Sequence, residues 1–140
     1  MTLIDYTDME QEILNSQEPT TLPKGTEVRV RIIQVRSGTS EKNDADYLMP
    51  IYEVLGDGKE MVKEVSDFLW ILDKEALTSK EYARALDHFK KFAKCFGIDL
   101  SRPFDPDEDL VGLEGWIILG LRKSDEYGEQ NNVSKYIFPR

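Results

Sequence analysis

The sequence predicts a mainly β domain, a small five-stranded Greek-key barrel with one α-helix between strands three and four. Three stretches of strand-forming residues precede one amphipathic helix, and two more such stretches follow it. The connections between them carry glycine, asparagine and aspartate, which favour turns. At 140 residues the chain is long enough to bury one core without disulfides.

The first strand is predicted over residues 25–36, and its apolar pattern changes face partway along. Val28 and Ile32 share one face, whereas Ile33 and Val35 fall on the other. Because side chains alternate strictly along a strand, the inward face has to change at Ile32-Ile33. We therefore expect a β-bulge or a sharp coil of the strand at this point.

The second and third strands are predicted over residues 47–55 and 59–72, after a polar loop at residues 37–46. Gly56-Asp57-Gly58 between them is a typical hairpin turn. Pro50 cannot donate a ladder hydrogen bond, so it indicates an edge strand or a bulge.

The predicted helix begins at Thr78 and ends before Gly97. Thr78 and Glu81 have the spacing of a capping box, and glycine is the preferred residue just after a helix. One apolar stripe recurs every three or four residues, which predicts a face packed on the sheet. The stripe consists of Tyr82, Leu86, Phe89, Phe92, Ala93 and Phe96.

The last two strands are predicted as a hairpin within residues 110–140, with a polar loop at residues 124–132. Three strands, a helix and two strands is the element order of an OB-fold. A mixed α+β sheet with another strand order stays open as an alternative. We assign residues 1–24 to a flexible acidic arm and residues 25–140 to the OB-type domain.

Composition restricts the function. A net charge of −9 disfavours non-specific phosphate binding, but the charge is uneven, since residues 1–24 hold five acidic side chains against Lys24 alone. One cysteine and one histidine offer no Cys/His nucleophile or His-rich metal site, so we expect neither an enzyme nor a cofactor. The absence of a membrane-length apolar run favours a cytoplasmic protein without membrane contact.

Cations and aromatic rings in the strands and loops suggest a surface for single-stranded nucleic acid, where cations neutralise phosphates and rings stack on bases. Trp70 is expected to pack against the barrel end, and His88 to be a solvated surface residue. The candidate cations are Arg29, Arg31, Arg36, Lys42, Arg122, Lys123 and Lys135, and the candidate stacking residues are Tyr47, Tyr52 and Tyr127.

Short motifs in the C-terminal part carry a family resemblance. They are Phe96-Gly97, Leu110-x-Gly112, Tyr127-Gly128-x-x-Asn131, and Val133 followed by Phe138-Pro139. With them the chain resembles the phage-encoded single-stranded DNA-binding proteins of OB type found in replication and recombination gene clusters. The resemblance covers residues 25–140. It implies binding of single-stranded DNA without strong sequence specificity, to protect it during phage replication or recombination in the host cytoplasm.

Two other classes stay open. An OB-like protein-interaction module, or an acidic inhibitor that imitates DNA, suits the net charge of −9 better. A nucleic-acid enzyme or its accessory subunit would use the acidic residues 105–109 to bind a divalent metal. The expected partners of the DNA-binding protein are phage or host replication and recombination proteins, which would dock through the acidic arm. A homodimer is also compatible with the sequence.

Overall fold

The computed structural model describes residues 2–139 and is mainly β. No helix in this range is both long and apolar enough to cross a membrane. The strands are β1 (Glu27–Thr39), β2 (Asp46–Leu55), β3 (Val65–Ser66), β4 (Leu69–Trp70), β5 (Glu114–Ser124) and β6 (Gly128–Tyr136). The helices are α1 (Glu10–Leu14) and α2 (Ser79–Phe96), with a 3-10 turn at Thr7–Met9 and a π-helical turn at Pro106–Leu110.

The six strands form one sheet in the order β1-β5-β6-β3-β2-β4. Since β1 also pairs with β2, the sheet closes partly into a ring. The pairs are antiparallel except β3 with β6, which are parallel and joined through Ser66 and Asn132. The core inside this ring is apolar, and α2 contributes the buried side chains Phe92 and Phe96 to it.

The predicted bulge in the first strand is confirmed. Arg29 to Ile32 pair in register with Leu55 to Tyr52, and the register shifts before Gln34 pairs with Ile51. Val28, Val30 and Ile32 are buried before the bulge, and Val35 is buried after it. The bulge thus keeps apolar side chains pointing inward along the whole strand.

The third strand was predicted as one run over residues 59–72, and this was wrong. The structure has two short strands, β3 and β4, with Asp67 and Phe68 between them. The Asp67 carboxylate accepts a hydrogen bond from the Phe68 backbone N–H at 2.8 Å, which competes with strand pairing. Pro50 of β2 lies opposite this gap and beside the bulge, where its carbonyl accepts from the Asp67 N–H at 3.2 Å.

Both ends of α2 follow the sequence prediction. Thr78 and Glu81 form the capping box, and Gly97 takes a left-handed conformation at φ 68°. The apolar stripe is only partly buried, because Leu86 is 44% exposed on the N-terminal half of the helix. The C-terminal half therefore holds the helix to the sheet core.

The N-terminal segment joins the sheet before residue 25. The Thr20 N–H donates to the Met61 carbonyl at 2.7 Å, and the Lys63 N–H donates to the Thr20 carbonyl at 2.8 Å. The buried Asn131 side chain bonds both the N–H and the carbonyl of Leu22 at 2.8 Å. Thr20 and Leu22 are therefore hydrogen-bonded to the rest of the fold, whereas residues 2–19 are exposed.

Candidate nucleic-acid interface

Three aromatic side chains form a cluster at the edge of the sheet. The ring centroids of Tyr47 and Phe68 are 4.5 Å apart, and those of Phe68 and Trp70 are 4.6 Å apart in an edge-to-face arrangement. Tyr47 and Trp70 are 6.4 Å apart. Phe68 is 37% exposed and the other two are half-buried. We call these three residues the aromatic cluster.

Strand register places the aromatic cluster on the outer face. Tyr47 of β2 lies directly opposite Trp70 of β4, and the buried Leu69 separates Phe68 from Trp70. Trp70 also packs against a small second core that includes Leu77 and Ala85. The cluster is therefore anchored on one side and open to solvent on the other.

Gly38 makes room for the Tyr47 ring. The two residues are cross-strand partners in β1 and β2, and a Cβ atom at Gly38 would lie 2.6 Å from the Tyr47 hydroxyl oxygen. Any larger residue would displace the ring, because real Cβ contacts are never this short. The missing side chain thus lets the ring lie across β1.

Arg36 is the cation closest in register to the aromatic cluster. It lies opposite Met49, two residues from the Gly38–Tyr47 pair, so it shares the outer face with Tyr47. Among residues 2–139, no carboxylate lies within ion-pair distance of Arg36. Lys42 is exposed in the loop after β1, at the same end of the sheet. Arg36 is thus available to neutralise a phosphate beside the cluster.

Arg29 and Arg31 lie on the outer face of β1 but are already engaged. The Arg29 guanidinium is 2.8 Å from a Glu114 carboxylate oxygen. Arg31 donates to Glu53 from Nε at 2.7 Å and from a second nitrogen, and this hydrogen bonding raises the pKa of Arg31. A phosphate at these positions would have to compete with carboxylates.

The residues around the β5–β6 turn lie away from the aromatic cluster, whereas Lys135 lies at the other end of β6, next to Tyr136, whose hydroxyl donates to Asp67. Because β5 runs antiparallel to β1, the β5–β6 turn lies at the opposite end of the sheet from the β1–β2 loop. Tyr127 is 63% exposed there, and Lys123 is 3.5 Å from a Glu129 oxygen. Arg122 and Lys135 are exposed on β5 and β6. The ten predicted residues are therefore divided among several places.

Tyr52 was predicted to stack on bases, and the structure corrects this. Its side chain is fully buried and its ring is stacked on Phe96, with centroids 5.6 Å apart. Its hydroxyl is 2.7 Å from that of Tyr136, which donates to Asp67 Oδ2 at 2.5 Å. Burial raises the pKa of both tyrosines well above 10, so neither ionises at ordinary pH.

The sequence prediction missed two members of the cluster, Phe68 and Trp70. The signal was the alternation of Phe68, Leu69 and Trp70, which puts both rings on the face opposite a core leucine. His88 is also more than a solvated surface residue. Its Nε2 lies 2.8 Å from Asp67 Oδ2, although the side chain remains 40% exposed.

Carboxylates of the acidic residues 105–109 accept hydrogen bonds from backbone N–H groups of their own segment. Asp105 accepts hydrogen bonds from the N–H groups of Asp107 and Glu108, and Asp109 accepts from the Asp105 N–H. Over residues 2–139, no group of three or more acidic, histidine or cysteine side chains is arranged to hold a metal ion. Burial raises the pKa of Cys95 to about 11, which keeps it a thiol.

Comparison with known proteins assigns no function to this chain, so a functional proposal has to rest on the aromatic cluster and the residues around it. No protein-family model matches the chain, and no curated protein is significantly similar to it. The observations available are an open aromatic cluster, Arg36 beside it, and a sheet that closes partly into a ring.

Proposed function

We propose that this protein binds single-stranded DNA with little sequence preference, with the aromatic cluster as its stacking surface. The observation that carries the proposal is the contact of Tyr47, Phe68 and Trp70 on an open sheet face. Every base presents a flat face, so stacking tolerates any sequence, and each stacked base contributes about 1–3 kcal/mol. On the basis of the sequence resemblance to phage single-stranded DNA-binding proteins, we propose that this activity serves phage DNA replication or recombination.

The order of strand pairing supports an OB-type barrel. If β3 and β4 together count as the third strand, the ring runs through strands one, two, three, five and four, with α2 between strands three and four. OB-folds bind oligonucleotides on the face of strands two and three. The aromatic cluster lies on those strands, since Tyr47 belongs to β2 and Trp70 to β4.

The net charge of −9 does not exclude the proposal, because charge acts locally at physiological salt. The Debye length is about 8 Å at 0.15 M ionic strength, so distant carboxylates are largely screened. Five acidic residues lie in the exposed segment before residue 20, away from Arg36 along the chain. Arg36 and Lys42 supply positive charge at this end of the sheet, where Glu41 and Asp44 of the same loop, and Asp46 at the start of β2, offset part of it.

The deciding experiment is fluorescence anisotropy of a labelled poly-dT oligonucleotide, titrated with protein at two salt concentrations. If Arg36 and Lys42 each neutralise one phosphate, raising salt from about 50 mM to about 200 mM weakens binding about sevenfold. The triple variant Tyr47→Ala, Phe68→Ala, Trp70→Ala should lose saturable binding, whereas Tyr6→Ala, at an exposed ring of the N-terminal segment, serves as the control. A flat titration of the unmodified protein at low salt would refute DNA binding.

A second candidate function is a protein-interaction module, and the N-terminal segment favours it. Residues 2–18 are acidic yet expose Tyr6, Met9 and Ile13, which lie at helical spacing around α1. Amphipathic segments of this kind bind apolar grooves. The two functions separate cleanly, because removing residues 2–18 would abolish partner binding and leave DNA binding intact.

A further inference from the structure

The gap between β3 and β4 is tied to the rest of the fold by a chain of side-chain hydrogen bonds. Asp67 Oδ2 accepts from the Tyr136 hydroxyl at 2.5 Å and lies 2.8 Å from His88 Nε2. Because Tyr136 donates its proton to Asp67, the Tyr52 hydroxyl donates to Tyr136 at 2.7 Å. One carboxylate thus joins β6, α2 and the gap.

The same carboxylate holds the residue that completes the aromatic cluster. Asp67 Oδ1 accepts from the backbone N–H of Phe68 at 2.8 Å. The strands on either side, β3 and β4, have two residues each, so ladder pairing gives this segment little support. The position of Phe68 between Tyr47 and Trp70 therefore depends on the position of Asp67.

We propose that His88 is a positioning residue for the aromatic cluster: in its protonated form it holds Asp67, and through Asp67 it holds Phe68 in the geometry that binds single-stranded DNA. The effect on DNA affinity rests on the proposed function, whereas the effect on the cluster's geometry does not. Within residues 2–139 the ring neighbour of His88 is Tyr136, with centroids 5.9 Å apart, and not a ring of the cluster, so its polar link to the cluster runs through Asp67.

The charged and titratable groups around His88 come from three elements. Asp67 faces it from the gap, and Tyr136 and Lys135 of β6 line the groove beside it. Asp87 and Lys91 neighbour it on α2 and bind each other at 2.8 Å. The hydrogen bond to Asp67 raises the pKa of His88, while burial and Lys91 lower it, and the net direction is upward.

A raised pKa means that the folded contacts favour the protonated form. The attraction between protonated His88 and Asp67 is then fully present below the ordinary histidine pKa of about 6.5. It is lost as pH rises through the raised pKa of His88 in the folded protein. His88 is the single histidine of the chain, so it is the side chain expected to change charge in this range. We therefore expect the cluster to be best ordered at mildly acidic pH.

The test uses the Trp116→Phe variant, which leaves Trp70 in the cluster as the single tryptophan. Trp70 emission of the free protein, and affinity for labelled poly-dT, are measured from pH 5.5 to 8.5. We expect the emission to change with a midpoint above the ordinary histidine value, and affinity to weaken about threefold at high pH, as suits a half-exposed ion pair. Adding His88→Gln, which keeps a donor without the titration, should flatten both curves. Emission that does not change with pH when His88 is present would overturn the proposal.

Direct contact between His88 and a phosphate is the competing explanation, and two variants exclude or establish it. With Asp67→Asn the pH dependence disappears if His88 acts through Asp67, and it remains if His88 touches DNA. A direct contact would also reduce the salt slope by about 1 in His88→Gln, whereas positioning leaves the slope unchanged. If Asp67→Asn does not fold, the Phe68→Leu variant is used in its place. Trp70 emission should then no longer change with the protonation of His88. If emission follows His88 but no DNA binds at any pH, the positioning role stands and the proposed function fails.

Discussion

The two faces of β2 carry the two tyrosines that the sequence treated alike, and they have opposite environments. Tyr47 lies on the outer face in contact with Phe68, whereas Tyr52 is fully buried against Phe96. They are five residues apart, an odd number, so they point to opposite sides of the strand. Whether a tyrosine of β2 can bind a ligand or instead maintains the fold therefore depends on whether it occupies an odd or an even position along the strand.

The largest effect is expected from Tyr52→Ala. Its ring fills the core and its hydroxyl ends the hydrogen-bond chain to Asp67, so the substitution leaves a cavity. We expect a loss of about 3–5 kcal/mol in the free energy of unfolding, the range measured for buried aromatic residues. Urea denaturation followed by circular dichroism measures this. A loss as small as that of Tyr47→Ala would contradict the assignment of the two faces.

Substitution on the outer face should have the opposite outcome. Tyr47→Ala removes one stacking ring, and we expect it to weaken poly-dT binding by about 1–3 kcal/mol. The free energy of unfolding should change much less than in Tyr52→Ala, because Tyr47 is only half-buried. Anisotropy and urea denaturation on the same samples separate binding from stability. Equal losses of both in one variant would show that the cluster is structural.

A smaller effect is expected at Arg36, the cation that shares the outer face. Arg36→Gln should lower the slope of log affinity against log salt by about 1, because one phosphate contact is lost. Lys24→Gln is the matched control, since this exposed lysine lies just before β1, at the end of that strand opposite the β1–β2 loop. An unchanged slope in Arg36→Gln would place the DNA backbone elsewhere on the molecule.

The smallest effect concerns stability and pH. The contact of His88 with Asp67 raises the histidine pKa, so its contribution is present below about pH 6.5 and is lost as pH rises through the raised value. Because His88 is 40% exposed, solvent screening keeps this contribution under about 1 kcal/mol. Urea denaturation of the unmodified protein and of His88→Gln at pH 5.5 and 8.5 should show a pH-dependent difference between them.

Local signals in the sequence predicted the mainly β character, the α2 caps and the β1 bulge. Each depends on a few neighbouring residues, such as Thr78 with Glu81, or Ile32 with Ile33. The candidate site was harder, because it depends on which strands become neighbours. Phe68 meets Tyr47 only after β4 pairs with β2, and that pairing is not visible in either segment alone.

The gap between β3 and β4 could not be predicted for a related reason. Residues 59–72 have strand-forming composition, but Asp67 also accepts hydrogen bonds from Tyr136 and His88, which lie far along the chain. Long-range contacts of this kind override local preference. Tyr52 lies an even number of residues from Leu48 and Val54, which would assign it to the same inward face. The apolar Ile51 is also buried, on the other face, so the alternation is hard to recognise in the sequence.

The clamp of Asn131 on Leu22 links two points 109 residues apart in the chain. During synthesis, residues 20–22 must wait for β6 before their backbone finds its partners, and β1 must wait for β5. Contacts of such long sequence separation slow folding, because the entropy of loop closure is lost before they form. Chain assembly on the ribosome therefore leaves the edge of β1 that pairs with β5 uncovered until late, so this protein should depend on fast completion of its last hairpin to avoid self-association.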